Sequence, residues 1–278
     1  MFLLDVRYDL KSRTITKWIK DGTRCTPVRH TFYPRIYVSG THEFSRLIAS
    51  LPGVISTCQD EKITHLASAP EMVISATVEP GSIYEIASML EAKGCSLYNI
   101  DLDPVRQYFL EYGLFPAAKL QRDDVLDDTQ YALDYEIPDL KIMELSGTPA
   151  RDKGIATMDD PIGRIKFGEI IEGKDEAEMI ETLSGEIARS DPDIILTDHG
   201  DSVIFPYLYH RAALHDIDLA LEKEKDIVHE KNGKSYFSYG RILYKPGGYL
   251  LAGRLHLDSS SFVYREGGLM GLLDLSRI

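Results

Sequence analysis

The sequence lacks any run of about 18 apolar residues, the length that a membrane-spanning helix requires. Its opening stretch, MFLLDVRYDL, carries charges at Asp5, Arg7 and Asp9 and so differs from the apolar core of a secretory signal peptide. We therefore expect no membrane segment and a cytoplasmic location.

Cysteine is scarce: the three residues Cys25, Cys58 and Cys95 lie far apart and form no C-x-x-C pair. This spacing argues against a zinc knuckle and fits a reducing compartment. The sequence also contains no G-x-x-x-x-G-K-[ST] loop, which excludes nucleotide binding of that kind.

Basic residues are in deficit, because 31 Lys and Arg stand against 44 Asp and Glu, giving a formal net charge of −13. Most of the imbalance lies in residues 131–278, which hold 17 basic and 27 acidic side chains. Since DNA affinity depends largely on neutralising phosphates, we expect this half to bind DNA weakly by itself. Net charge describes only the average field, so a local basic groove is still compatible with it.

In the first part of the chain, strand and helix patterns alternate. Residues 3–10 and 14–22 predict a β-hairpin. Helices are predicted over residues 80–94 and 104–113, each with a proline near its start and a glycine at its end. The alternation predicts a small mixed α+β domain.

The polar, acidic segment 121–135 predicts a linker between two domains. A length of 278 residues with 44% apolar residues suits a soluble chain with two hydrophobic cores. We therefore place the domains at residues 1–130 and 131–278.

The second part also has an α/β pattern. It predicts a strand over residues 140–145, an amphipathic helix over 175–190, a buried strand over 193–197 and a hairpin with its turn at 246–248. The sequence stops within an apolar, helix-like run, residues 267–278, so we expect the second domain to be incomplete at its C-terminus.

Six sequence blocks follow one another along the chain: MFLLDVRYDL, FYPRIYVSG, NIDLDPVRQYFLEYGLFP, LKIMELSGTP, DPDIILTDHGDSVIFPYL and GRLHLD. In sequence and in order they resemble blocks of archaeal family B DNA polymerases. The fourth and fifth resemble the two exonuclease motifs L-K-x-x-x-F-D-I-E and G-D-S-F-D-F-P-Y-L. The resemblance implies an N-terminal domain followed by an RNase H-like 3′–5′ exonuclease domain with a mixed sheet flanked by helices. It also implies a role in DNA replication or repair.

The metal-binding carboxylates of the resembled exonuclease motifs are missing here. Ser146 and Thr148 stand at the Asp and Glu of the first motif, and Ile204 stands at the Asp of the second. In the family, two divalent ions activate a water for phosphodiester hydrolysis, and Mg²⁺ prefers carboxylate oxygens. We therefore expect an inactive proofreading site without a cofactor, as in inactivated homologues. The family's polymerase motifs, including D-T-D, are also absent from this sequence.

Three other carboxylates could hold displaced metal ions. Glu144 shares the strand face of Ser146 about 7 Å along the strand, Asp201 precedes Ile204 by one helical turn, and Asp258 ends the G-R-x-H-x-D block. Each also has a structural interpretation, as a solvated strand residue, a helix cap or a strand-end carboxylate. If they bound Mg²⁺ or Mn²⁺, the chain would be an active exonuclease. A second alternative is a purely structural interaction module of a polymerase.

The resemblance further implies an N-terminal pocket that senses uracil in the template strand. The matching positions are Tyr8, Pro34, Tyr37 and Leu102, although the family's Ile-Pro-Phe is Leu-Asp-Pro here. A deaminated base would be turned out of the strand into such a pocket. Core packing is the alternative for all four residues. The partners implied are single-stranded template or primer DNA, bound weakly, and the remainder of a polymerase or other replication proteins.

Overall fold

The chain forms two compact units, Met1–Tyr135 and Glu136–Ile278, in a computed structural model. The structure describes residues 1–39, 44–66, 69–122, 125–127, 129, 131, 138–151, 156–224, 229–231, 233–238, 241–245 and 247–260. No helix in these ranges is both long and apolar enough to cross a membrane.

The first unit is built from short antiparallel sheets and helices. Its strands are β1 (Phe2–Asp9), β2 (Thr14–Asp21), β3 (Arg24–Thr31), β4 (Arg35–Ser39), β5 (Val54–Lys62), β6 (Glu71–Val78), β7 (Ser96–Tyr98), β8 (Leu120–Arg122) and β9 (Val125–Leu126). Its helices are α1 (Phe44–Ser50), α2 (Ile83–Glu91) and α3 (Pro104–Tyr112), and a 3₁₀ turn, Pro80–Ser82, precedes α2. The predicted hairpin is confirmed by the antiparallel pairing of β1 with β2.

Helix α3 has the predicted boundaries because both of its ends are capped. The Asp103 side chain accepts a hydrogen bond from the Val105 amide at 2.9 Å, and Pro104 occupies the first turn. The helix ends at Gly113, whose φ of 64° is a left-handed conformation that glycine adopts without strain. Tyr108 of this helix is fully buried against the sheet β1-β2-β3.

The four-stranded sheet β5-β6-β4-β7 forms the other core of the first unit, with α1 and α2 packed on it. The segment 121–135, predicted to be a linker, begins instead within the strand pair β8–β9. Residues 123–124, 128, 130 and 132–135 of that segment lie outside the described ranges.

The second unit is centred on a mixed sheet. Its strands are β10 (Ile142–Pro149), β11 (Ile162–Phe167), β12 (Glu169–Ile171), β13 (Ile194–Thr197), β14 (His229–Lys231), β15 (Lys234–Ser238), β16 (Arg241–Lys245), β17 (Gly248–Leu250) and β18 (Leu255–Asp258). Its helices are α4 (Glu176–Ser190) and α5 (Phe205–Leu214), and a π-turn, Gly200–Ile204, leads into α5. Five strands form one sheet in the order β12-β11-β10-β13-β18.

Strand direction makes this sheet mixed, because β10, β13 and β18 are parallel while β11 pairs antiparallel with both of its neighbours, β10 and β12. Helices α4 and α5 bury their apolar faces on it in one cluster with Leu145, Ile165 and Ile195. The fold class expected from the sequence, a small mixed α+β domain followed by a domain with a mixed sheet flanked by helices, is confirmed.

Two local predictions for the second unit were wrong. Strand β10 does not end at residue 145 but continues to Pro149, because β11 pairs with its second half. The hairpin predicted around residues 246–248 would pair β16 with β17, but β16 pairs with β15 and β17 pairs with β14. The apolar run 267–278 lies outside the described ranges.

A buried ion cluster joins α4 to α5. Glu176, at the start of α4, accepts hydrogen bonds from the Arg211 guanidinium (2.7 Å from Nε), from His215 Nε2 (2.6 Å) and from the Ile162 amide (2.7 Å). Burial alone would raise the pKa of Glu176, but these donors outweigh it and lower the pKa to about 2. The cluster therefore fixes the packing angle between the helices.

We expect Glu176→Ala to lower the free energy of unfolding of the second unit by about 3–5 kcal/mol, because Arg211 then stays buried without its carboxylate. The folded-state pKa lies below the ordinary 4.5, so the stabilisation is complete above about pH 4.5 and is lost as the pH falls towards 2. Urea titrations at several pH values, monitored through the hydrogen exchange of the α4 amides, measure both the loss of stability and its pH dependence.

Glu186→Ala is the matched control, because Glu186 pairs with Arg189 on the exposed face of the same helix. It should leave the transition nearly unchanged. The fluorescence of Trp18, which is buried in the first unit, should be the same in all variants. Equal losses for Glu176→Ala and Glu186→Ala would contradict the assignment.

Candidate functional site

The stretch 191–208 forms a strand, a turn and a helix start, with the π-turn between β13 and α5. His199 has a φ of 57°, so the chain reverses sharply just after the strand. The next residue, Gly200, has to be a glycine, because a Cβ at this position would lie 2.0 Å from Thr197 Oγ1 and 2.7 Å from His256 Nε2. The sequence thus allows β13 and β18 to approach each other closely under the turn.

Asp258, at the end of β18, holds this turn in place. Its Oδ1 accepts hydrogen bonds from the His199 amide at 3.0 Å and from Ser260 Oγ at 2.6 Å, and its Oδ2 accepts one from the Asp201 amide at 3.1 Å. Burial by itself would raise the pKa of Asp258, but these donors outweigh it and keep the pKa below its usual range. The carboxylate therefore anchors backbone, as the structural interpretation of this residue predicts.

Asp201 is held in a similar way rather than free in a cleft. Its Oδ1 accepts a hydrogen bond from the Tyr249 amide at 2.8 Å and lies 3.2 Å from His256 Nδ1. The other ring nitrogen of His256 is 2.8 Å from Thr197 Oγ1. The order hydroxyl, imidazole, carboxylate is that of a nucleophilic triad, but Thr197 is only 1% exposed, so no substrate can reach its hydroxyl.

The three motif positions lie on β10 and on the π-turn beside it. Leu145 belongs to the core, and a side chain at Gly147 would meet Leu208 of α5, so this face of β10 points towards the helices. Ser146 and Thr148 therefore point to the opposite face. Ile204 is 6% exposed and belongs to the same apolar core as Leu145.

Glu144 lies on the face of Ser146 and Thr148. Its side chain is 58% exposed, and its Oε2 lies 3.3 Å from Lys166 Nζ. In the described part of the chain, no three His, Cys, Asp or Glu side chains are grouped to hold a metal ion. These residues do not fit a two-metal site, because they do not supply a shared set of oxygen ligands. Glu144 is solvated, Asp201 and Asp258 anchor backbone amides, and Ile204 is buried and apolar.

The first unit contains a cavity of about 310 Å³ beside α3 and β4. It is lined by Arg35, Tyr37, Lys62, Asn99, Gln107, Leu110 and Glu111. Of the four positions predicted for a template pocket, Tyr37 lines the cavity directly. The Lys62 amine lies 5.5 Å from the centre of the Tyr37 ring, so a cation and an aromatic face occur together on one wall.

Gln107 organises this cavity although it is 5% exposed. Its Nε2 donates to the carbonyls of Asn99 (3.1 Å) and Leu102 (3.3 Å), and its Oε1 accepts from the Arg35 amide at 2.8 Å. The backbone of Leu102 is thus tied to the cavity wall through one amide group. Sequence reasoning missed Gln107 and Lys62, because their positions in helix and strand patterns carry no sign of a shared pocket.

Tyr8 and Pro34 have packing roles. The Tyr8 hydroxyl donates to the Phe32 carbonyl at 3.1 Å, its ring meets the edge of Phe32, and burial raises its pKa to about 12. Pro34 is buried, and its carbonyl accepts a hydrogen bond from the Val78 amide at 3.0 Å. For these two residues the structure shows contacts that fix the fold rather than contacts with the cavity.

Comparison with known proteins identifies the fold. No protein-family model matches the sequence, and no curated protein matches it. Among solved structures, the chain is similar to the family B DNA polymerase from the hyperthermophilic archaeon Pyrobaculum calidifontis, with a TM-score of 0.71 and 16% sequence identity. The match covers 96% of this chain and 38% of the polymerase. The two proteins therefore share a fold over nearly all of this chain.

We expect Gly200→Ala to lower the free energy of unfolding by about 1–3 kcal/mol, because the added methyl group pushes Thr197 away from His256. Gly185→Ala is the control: Gly185 is exposed in α4 with open space around it, so alanine should stabilise by up to about 1 kcal/mol. Thermal unfolding measured by circular dichroism distinguishes the two. Stabilisation by both variants would refute the close approach at Gly200.

Proposed function

We propose that this chain is the N-terminal and exonuclease-like region of a family B DNA polymerase homologue that acts in DNA replication or repair, and that its proofreading exonuclease is inactive. Its first part, about 1–130, is the N-terminal domain, and its second, about 131–278, is the RNase H-like domain. The observation that carries the proposal is the occupation of the three motif positions by Ser146, Thr148 and the buried Ile204, within a fold similar to that of an archaeal family B polymerase.

The environment of the remaining carboxylates supports the inactive state. Asp258 and Asp201 already accept hydrogen bonds from backbone amides, so binding a cation would compete with contacts that hold the π-turn. Glu144 is solvated and pairs with Lys166. Ile204 would have to be replaced by a buried charge to restore the motif, and burying an unpaired charge is costly.

Two other functions stay as alternatives. An active exonuclease that uses Asp201, Asp258 and Glu144 with Mg²⁺ or Mn²⁺ would require the first two to leave their backbone partners. A purely structural module would stabilise the polymerase remainder or another replication protein without touching DNA. The proposed function differs from both, because it combines weak contact with single-stranded template or primer DNA and no hydrolysis.

We also propose that the cavity beside Tyr37 receives an unstacked template base. A base can stack on an aromatic ring, and Arg35 and Lys62 supply positive charge near the strand that carries the base. In this proposal Tyr37 contacts the base, Leu102 helps to position the wall through Gln107, and Tyr8 and Pro34 support the surrounding fold.

For the first test, the chain is incubated with 5′-labelled single-stranded DNA and Mg²⁺ or Mn²⁺. We expect no more digestion than in EDTA, because three carboxylate ligands are absent. The products are resolved on a denaturing gel. Metal-dependent digestion that Asp201→Asn and Asp258→Asn abolish would contradict the proposal. Glu181→Gln, a change at an exposed residue of α4, is the control and should leave that digestion intact.

The second test measures DNA binding by fluorescence anisotropy at low salt. We expect an oligonucleotide with one uracil to bind about tenfold more tightly than one with thymine, the lower end of the discrimination that one extra carbon gives. Tyr37→Ala should remove this preference because the stacking surface is lost.

Tyr84→Ala is the control for the DNA test, since Tyr84 is 73% exposed on α2 and does not line the cavity. Equal affinities for uracil and thymine would remove the base pocket from the proposal. Absence of any DNA binding at low salt would favour the purely structural module, because electrostatic binding is strongest there.

A further inference from the structure

The mixed sheet of the second unit carries a pair of basic side chains on the face that points away from α4 and α5. In β11, Ile165 belongs to the apolar core on the helix side. Its neighbours Arg164 and Lys166 alternate with it, so they point to the opposite face, as Ser146 and Thr148 of β10 do. These four side chains form one surface, the polar face of the sheet.

On the polar face, each cation lies directly opposite a hydroxyl residue. In the antiparallel register of β10 and β11, Ser146 pairs with Lys166 and Thr148 pairs with Arg164. The Cβ atoms of such opposite residues are about 5 Å apart, and residues two positions apart on a strand are separated by about 7 Å. The second distance is comparable to the spacing of successive phosphates along an extended single strand of nucleic acid. The face therefore presents two cation–hydroxyl pairs in a row.

Both cations are available to an anion from solution. Arg164 is exposed, and among the described residues no carboxylate pairs with it. Lys166 Nζ lies 3.3 Å from Glu144 Oε2, but the two side chains are 42% and 58% exposed. An ion pair with this exposure is weak, so Lys166 can exchange the carboxylate for another anion.

The polar face differs in charge from the unit that contains it. Residues 131–278 hold 17 basic and 27 acidic side chains. Strands β10, β11 and β12 nevertheless place two cations and one carboxylate, that of Glu144, on this face. Glu169 of β12 pairs with a core residue of β11 and so points to the helix side. Glu172, just after β12, is exposed and forms no ion pair with Arg164. An anion is therefore attracted to the face itself, while the surrounding field keeps binding weak.

Beyond β10 the same face of the sheet becomes apolar. Leu196 of β13 lies opposite Glu144, and Leu257 of β18 lies opposite Leu196. Both leucines are half-buried. Neighbouring strands are about 4.8 Å apart, so this apolar surface begins one strand away from the hydroxyl residues. An anion with apolar parts beside its charge fits this arrangement better than a free phosphate ion does. A single strand of DNA has both parts, because its unpaired bases are exposed next to its phosphates.

We propose that the polar face binds two successive phosphates of a single DNA strand directly, without a metal ion. Arg164 and Lys166 pair with the phosphates, and the hydroxyl groups of Ser146 and Thr148 donate to phosphate oxygens. The inference rests on the proposed function, because it locates the weak DNA contact of that proposal. Carboxylates at positions 146 and 148 would repel a phosphate unless metal ions neutralised them, whereas hydroxyl groups carry no charge and can donate.

The test measures the binding of fluorescein-labelled oligothymidylate to the full chain by anisotropy, in EDTA and over a series of salt concentrations. We expect Arg164→Gln and Lys166→Gln to weaken binding about threefold each, as the loss of one exposed ion pair does. The double variant should also reduce the steepness of log affinity against log salt by about 1.4, because each phosphate contact on a single strand contributes about 0.7.

Restoring carboxylates provides an opposite test. The double variant Ser146→Asp, Thr148→Glu places an acid beside each cation, so in EDTA it should weaken binding about tenfold or more by neutralising Lys166 and Arg164. Unchanged or tighter binding by this variant would contradict the proposal. A strand with uncharged methylphosphonate linkages should bind the wild-type chain no better than it binds the Arg164→Gln, Lys166→Gln variant.

Arg189→Gln is the matched control, because it removes the same charge from an exposed position of α4 and should alter neither the affinity nor the salt dependence. If DNA binding is unaffected by Arg164→Gln and Lys166→Gln, this inference is overturned and the proposed function stands. If polyglutamate displaces the strand at equal concentration of charge, the face recognises acidic peptides and the inference is overturned as well. The absence of any strand binding would overturn both. Metal-dependent digestion would contradict only the inactive exonuclease, because the contact is measured in EDTA.

Discussion

The second unit depends on the carboxylate of Asp258 and the backbone amides that it binds. A strand that ends at Thr197 must reverse and start a helix within a few residues, which leaves several amide groups without partners. Asp258 takes two of them, those of His199 and Asp201, from the neighbouring strand β18. Once the turn is fixed, α5 has a defined start. The positions of Ile204 and of every later residue of α5 follow from it.

Helix α5 also lies beside two buried carboxyl groups whose pKa values shift in opposite directions. Through Arg211 it meets Glu176, whose carboxylate has donors on both oxygens and stays charged under almost all conditions. Near its C-terminal end it meets Glu222, which is equally buried, but there burial raises the pKa because the backbone donors to its carboxyl group do not outweigh it. Burial alone therefore does not determine the charge of a carboxyl group; the donors around it do.

The sequence predicted the elements whose signals are local. Proline and glycine marked the ends of α3, and alternation marked β1 and β2, because caps and pleats depend on residues a few positions apart. The hairpin predicted around residues 246–248 was wrong, because a proline and two glycines suggest a break between strands but do not determine which strands pair. Motif order indicated the fold class, but it left Asp201 and Asp258 open between metal ligands and structural residues. Asp201 accepts a hydrogen bond from the Tyr249 amide and does not cap a helix. The cavity beside Tyr37 was not foreseeable, because Gln107 is an ordinary polar residue in sequence, and only tertiary packing buries it.

Gln107 has one more consequence for the first unit. It links Arg35, Asn99 and Leu102 through a neutral amide, which neither gains nor loses a proton. A glutamate or histidine in the same place would exchange a donor for an acceptor as the acidity of the solution changed, and the wall would rearrange. With an amide, these three hydrogen bonds keep the same donors and acceptors in acidic and in alkaline surroundings.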